Sequence, residues 1–162
     1  MNEKEQAFMV MLKRHKATVY SVCLMFADER TSVDDLVQDC LINLWQGFDG
    51  FEARSEVRTW LYRVCLNTCI SFDRKRKHFS YVPLELENHD FLTSDTGEDA
   101  RQIQMLRRRI QLLGPFDRAI VLLWLENMPY EEIAAIVGIS VKNLSVRLVR
   151  IREKLKTMSD NK

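Results

Sequence analysis

The sequence has little that turns or cross-links a chain. Of 162 residues only 5 are glycine and 3 are proline, which argues against turn-rich β structure and favours long helices. It has 4 cysteines, Cys23, Cys40, Cys65 and Cys69, with no CxxC spacing among them. Long apolar runs are missing. The longest, Ala119 to Leu125, is seven residues, against the ~20 that span a bilayer. The opening MNEKEQ lacks the basic-then-apolar pattern of an export signal, so a cytoplasmic protein with reduced thiols is expected. The three histidines, His15, His78 and His89, fall in different segments without ligand spacing, and no nucleophile–base pair is visible. We therefore expect no catalytic residue, no cofactor, no metal site and no small-molecule substrate. Cys65 and Cys69, four apart, could pair or hold a metal, but free Cys is among the most buried residue types, and core packing is the expectation.

An excess of charge is also missing, since 24 Lys+Arg face 23 Asp+Glu for a net charge of +1. That total argues against a free-standing nucleic-acid binder, but its distribution is uneven. Residues 1–78 hold 12 basic and 11 acidic side chains, 79–100 hold none and 6, and 101–162 hold 12 and 6. An acidic middle followed by a basic end is a different molecule from one mixed throughout.

What is present is helical periodicity in two blocks. The expected fold is all-α, with a helical domain over 1–78, an acidic linker over 79–100, a second helical domain over 101–157 and a polar tail over 158–162. The 22-residue linker, as a flexible coil, would span roughly 25 Å. In the helix expected over Asp34 to Phe48, Leu36, Val37, Cys40, Leu41, Leu44, Trp45 and Phe48 share one face. The opposite face carries Asp35, Gln38, Asp39 and Asn43, with Ile42 at its centre. Ile42 reads either as an ordinary exposed aliphatic or as an apolar anchor ringed by polar groups for a protein partner.

The helix expected over Arg58 to Arg76 is apolar around most of its girth. It keeps one narrow polar strip, Arg63, Asn67, Ser71 and Arg74, spaced along a line. Trp60 borders the strip, and the helix runs out into Arg74, Lys75, Arg76, Lys77 and His78. Arg offers phosphate contacts, Asn reads base edges and an aromatic stacks on an unpaired base. A solvated edge with a basic last turn complementing the helix dipole is the alternative. The loop before it, Gly47 to Glu56, holds two glycines with Phe48 and Phe51. It is placed either for recognition or with its aromatics pinned to the core.

Further on, Pro115 opens a helix, and Pro129-Tyr130 opens a short one ending at Val137. Gly138 suits a left-handed turn and Ser140 an N-cap, before a helix from Val141 to about Lys156. Two helices across such a turn form a helix-turn-helix. In the last helix Val141, Leu144, Leu148, Ile151 and Leu155 form the expected core seam. Asn143, Arg147, Arg150 and Lys154 share another face, Lys142 and Ser145 lie near its N-terminal end, and Val146 points away from the seam. From Ser140 to Lys156 there are six basic residues and one acidic.

These residues resemble a known family. Asp35-Leu36-Val37-Gln38-Asp39 with Trp45, then Phe51 and Arg58-Thr59-Trp60-Leu61-Tyr62-Arg63 with Asn67, look like region 2 of the extracytoplasmic-function sigma factors. Tyr130, Glu132-Ile133-Ala134 and Gly138-Ile139-Ser140-Val141, with Arg147 and Arg150, are similar to their region 4. The resemblance covers about residues 8–157 and implies a bacterial transcription initiation factor that brings core RNA polymerase to promoter DNA. By position it implies that Asp35, Gln38, Asp39, Ile42 and Asn43 meet the clamp coiled coil of the polymerase. It implies that loop residues including Asp49, Phe51, Arg54 and Ser55 hold a flipped minus-ten base. Trp60, Arg63, Asn67, Ser71 and Arg74 to Lys77 would track the opened strand. Ser140, Lys142, Asn143, Ser145, Val146, Arg147, Arg150 and Lys154 would face the minus-thirty-five element, with the polymerase flap near region 4. The family's usual Gly-Thr-Val-Lys-Ser after Ser-Val is here Lys142-Asn143-Leu144-Ser145-Val146. The resemblance also implies an anti-sigma partner, often membrane-anchored. The competing reading is a stand-alone helix-turn-helix regulator whose N-terminal half is a protein-interaction module.

Overall fold

The structure is a computed structural model that describes residues 2–51, 56–78 and 97–160, with side chains to 75 and 158 in the last two stretches. Among the described residues all regular structure is helical. The chain divides into two compact units, Met1–Ser80 and Tyr81–Lys162. Among the described residues no helix is long and apolar enough to cross a membrane.

The first unit packs three helices, α1 (Glu3–Phe26), α2 (Val33–Gly47) and α3 (Val57–His78), with a short 3-10 turn over Phe48–Gly50. Each start is chemically marked. At α1 the Asn2 side chain accepts the Glu5 backbone N–H at 2.8 Å, while Glu5 accepts the Asn2 N–H at 3.3 Å, a reciprocal capping box. At α2 Ser32 caps by accepting the Asp35 N–H at 3.1 Å, and Asp34 and Asp35 complement the positive end of the dipole.

The core of this unit is Val19, Val22, Leu36, Leu44 and Leu61, with all four cysteines among them. The Cys23 and Cys40 sulfurs stand 3.6 Å apart across α1 and α2. Hydrogen bonding to Cys40, followed by burial, pushes the Cys65 thiol above its ordinary range. One end of the bundle is closed by rings. Phe8 meets Trp45 and Phe48 edge-on at 5.1 and 5.4 Å, and Trp60 lies against Phe51 at 4.8 Å. Edge-on and offset rings at these separations add to plain burial. Lys4 sits over the Trp45 ring at 4.0 Å and pairs with Asp49 at 2.8 Å.

The second unit holds α4 (Glu98–Gln111), α5 (Pro115–Leu125), α6 (Tyr130–Val137) and α7 (Val141–Asp160). Two expected boundaries shift. The acidic linker was expected to reach residue 100, but Glu98 and Asp99 form the first turn of α4, where negative charge is favoured. Residues 79–96, the rest of that segment, lie outside the described residues. The polar tail was expected from 158, but α7 runs to Asp160. Pro115 occupies the first turn of α5. Ile120, Leu123, Ile133, Leu144 and Ile151 are buried completely or nearly so and form this core.

Candidate functional site

Three surfaces answer to the residues singled out by sequence. The first is on α2. Its seam of Leu36, Cys40 and Leu44 turns inward, so Asp35, Gln38, Ile42 and Asn43 face out and Asp39 is half-exposed. Ile42 is 51% exposed in the middle of these polar groups. Asn43 is tied down. Its side-chain amide donates to the Thr68 hydroxyl on α3 at 2.8 Å, and that hydroxyl donates to the Val64 carbonyl at 2.7 Å. The relay fixes the spacing of α2 and α3 at this point.

The second surface is the strip on α3. Asn67, Ser71, Arg74 and Lys75 are exposed, and Arg63 is half-exposed. Of these, Asn67, Ser71 and Lys75 alternate with Val64, Thr68 and Phe72 to line an open groove of about 590 Å³. Its other wall is Asp39, Ile42 and Asn43. The sequence treated the α2 face and the α3 strip as separate surfaces, whereas the fold makes them two banks of one groove. Helical periodicity describes one helix at a time, so this adjacency was not readable from it.

Trp60 was expected to border the strip as a stacking platform. Its ring is half-buried and engaged by Phe51 at 4.8 Å and Phe48 at 6.4 Å, the pinned-loop arrangement. Asp49 is exposed and held by Lys4. Arg54 and Ser55 lie outside the described residues, and so do the side chains of Arg76 and Lys77.

The third surface is the helix-turn-helix. α6 ends at Gly138, whose φ of +80° is left-handed. Its N–H bonds the Ala134 carbonyl at 2.8 Å, and the Ile139 N–H shares that acceptor at 3.1 Å. A side chain at Gly138 would strain this turn, although nothing crowds the place it would occupy. Ser140 caps α7 by accepting the Asn143 N–H at 3.1 Å. Leu144, Leu148 and Ile151 are buried, but Val141 is 40% exposed and does not join the seam as expected. As the first residue after the cap, it lies at the end of that seam. Lys142, Asn143, Arg150 and Lys154 are exposed, and Val146 is 47% exposed. The Ser145 hydroxyl donates back to the Val141 carbonyl at 3.0 Å, which leaves its oxygen as an acceptor only.

Arg147 shows what sequence reasoning missed. Its Nε donates to Asp117 Oδ1 on α5 at 2.5 Å, and its guanidinium lies over the Phe116 ring at 4.6 Å. Both partners follow Pro115 in the first turn of α5, thirty residues away in sequence. No local spacing links the two segments. The pair holds a cation in one orientation on the outer face of α7, where a charge can meet a phosphate or a guanine edge.

Comparison with known proteins matches both units to one family. The family model Sigma-70 region 2 matches residues 11–79, and Sigma-70, region 4 matches residues 103–155. The chain is 31% identical over 160 residues to RNA polymerase sigma factor NccH of Alcaligenes xylosoxydans xylosoxydans, covering 93% of this chain and 86% of that one. In structure it is similar to CnrH in complex with the cytosolic domain of CnrY, with a TM-score of 0.67 and 27% identity over 96% of this chain and 89% of that one. The sigma factor RpoE of Bartonella quintana, solved with the anti-sigma factor NepR, shares the fold, with a TM-score of 0.67 at 21% identity over 97% and 96% of the two chains.

Proposed function

The chain belongs to the sigma-70 family, in its extracytoplasmic-function branch, and on that premise we propose how its surfaces divide the work of directing RNA polymerase to promoters. It is a sigma factor: it binds core polymerase and promoter DNA. Catalysis is left to the polymerase, and the protein works in the cytoplasm without a cofactor or small-molecule substrate.

The first unit is region 2. Asp35, Gln38, Asp39, Ile42 and Asn43 dock on the clamp coiled coil of core polymerase, with Ile42 as the buried anchor and the polar groups as its rim. Across the groove Arg63, Asn67, Ser71 and Arg74 to Lys77 follow the opened minus-ten strand. The loop carrying Asp49, Phe51, Arg54 and Ser55 receives an unpaired base. Unstacking a base takes a few kcal/mol, which hydrogen bonds and stacking in the loop must offset. Trp60 acts beneath that loop, supporting Phe51.

The second unit is region 4, beside the polymerase flap. α7 enters the major groove at the minus-thirty-five element by its N-terminal end. Ser140, Lys142, Asn143 and Ser145 are placed there, Val146 lies toward a thymine methyl, and Arg147, Arg150 and Lys154 lie along the flank. An anti-sigma factor, in membrane-anchored form, restrains the protein. The RpoE structure, solved with the anti-sigma factor NepR, and the CnrH structure, solved with the cytosolic domain of CnrY, support this reading.

The observation that carries the proposal is Ile42, exposed inside a polar ring on the same groove as the α3 strip. A stand-alone regulator has no use for a strand-tracking bank beside a protein-docking one. A mobility-shift assay on a cognate promoter, with and without core polymerase, tests it. The expected result is a promoter-specific, opened complex only when core is present. Equally specific duplex binding by the chain alone would instead support the stand-alone regulator.

A further inference from the structure

All four cysteines of the chain are buried in the first unit, and three of them, one from each helix, bring their sulfurs together. Cys23 comes from the last turns of α1, Cys40 from the middle of α2, and Cys65 and Cys69 from one face of α3, a turn apart. The sulfurs of Cys23, Cys40 and Cys69 all lie within 4.8 Å of one another, and the Cys23–Cys40 separation is 3.6 Å. Cys65 meets Cys40 through its backbone carbonyl, 3.9 Å from the Cys40 sulfur, and its own sulfur stands outside the triad. No residue of the group is more than 1% exposed.

We propose that these cysteines form a structural site for a thiophilic divalent metal ion, zinc by its chemistry, which ties α1, α2 and α3 together behind the two banks of the groove. Zinc bound to thiolate at about 2.3 Å in a tetrahedron sets neighbouring sulfurs about 3.8 Å apart. The 3.6 Å pair already has that spacing, and the 4.8 Å bound on the triad asks for a contraction that side-chain rotation can supply. Cys23, Cys40 and Cys69 are the three primary ligands, and Cys65, whose sulfur lies outside the triad, would have to turn inward to supply the fourth. Buried cysteines are ordinary core residues, but three from different helices with their sulfurs within 4.8 Å of one another also form a ligand set. A unit of this size has a modest core, and a metal is a common reinforcement for such units.

Each coordinating thiol releases its proton as the metal binds, so occupancy falls as pH falls. Because no sulfur reaches the surface, the ion enters as the unit folds. Placement gives the site a consequence for function. Cys40 lies between Asp39 and Ile42 in sequence, and Cys69 between Asn67 and Ser71. The metal would therefore hold both banks from behind while touching neither polymerase nor DNA.

The test uses the full chain, purified with a thiol reductant and no chelator. Metal content is measured by mass spectrometry, and the unfolded, metal-stripped chain is refolded with cobalt(II) as the probe. The expected result is about one zinc per chain, and on refolding the sulfur-to-cobalt charge-transfer and intense d–d bands of tetrahedral thiolate coordination. Cys40→Ser should lower the bound metal at least about tenfold. If that variant fails to fold, the unsubstituted chain decides alone: its melting temperature should rise when it is refolded with zinc. Metal far below one per chain together with absent cobalt bands overturns the site and returns the cysteines to packing. A mass lower by two hydrogens, with no metal, overturns it in favour of a disulfide.

Discussion

The two units meet their partners with different chemistry. The first shows the groove an aliphatic side chain, amides and a hydroxyl, with charge at the edges: Ile42, Asn43, Asn67 and Ser71 between Asp39 and Lys75. The second shows exposed cations on α7, Lys142, Arg147, Arg150 and Lys154. Duplex DNA is met first as a line of phosphates, which rewards charge and makes binding salt-dependent. A protein clamp rewards shape and hydrogen bonds, and an unpaired strand rewards stacking beside a local row of cations. A net charge of +1 is thus compatible with DNA binding, because charge is needed along particular helix faces and not over the whole chain.

Four substitutions break or sharpen this contrast. The largest effect is expected from Ile42→Glu, which places a charge where the anchor is buried on docking. Binding to core polymerase should weaken by roughly 3 kcal/mol, as for an interface hot spot. The circular dichroism spectrum should be unchanged, because Ile42 is exposed in the free protein. Unaltered capture of core in a pull-down would remove α2 as the docking face. Next is Arg147→Ala. Promoter affinity measured by fluorescence anisotropy should fall by about 1–3 kcal/mol if the side chain reads a base, with specificity relaxed at one position. A uniform loss on all sequences, with a shallower salt dependence, would make it a phosphate contact.

Gly138→Ala tests the turn itself. Forcing a β-carbon onto a left-handed residue should destabilise the second unit by about 1 kcal/mol, visible in denaturant unfolding of that unit, while the first unit is untouched. The smallest effect is expected from Asp117→Asn. The Asp117–Arg147 pair is partly exposed, so its loss should change stability by only about 0.5 kcal/mol. The informative readout is DNA binding, where the ratio of specific to non-specific affinity should fall.

Features carried within one helix or one turn were legible in the sequence. The outward position of Ile42 follows from 3.6-residue periodicity, the Ser140 cap from residue type, and the Gly138 turn from the need for positive φ. The extent of α4 was obscured because Glu98 and Asp99 read as part of an acidic run, although the same charges favour a helix start. Val141 was placed in the seam because periodicity gives a direction but not where the seam ends. What links distant segments was invisible: Asn43 with Thr68, Arg147 with Asp117, and the sulfurs of Cys23, Cys40 and Cys69. Each depends on how helices cross, and a single sequence records no crossing. Trp60 was ambiguous for a related reason, since an aromatic beside a polar strip fits both a stacking platform and a loop support.

The carboxylate of Asp117 has one more consequence. To Arg147 it is an internal anchor, holding the Nε–H and leaving the terminal nitrogens of the guanidinium to other partners. In the proposed complex a phosphate or base edge would meet an arginine whose direction is already set, so a loosely matching sequence offering one misaligned contact would gain little. A matching sequence that accepts both arms of the guanidinium gains more. Discrimination is a difference between two affinities, and here part of it is set in the free protein, before any promoter is met.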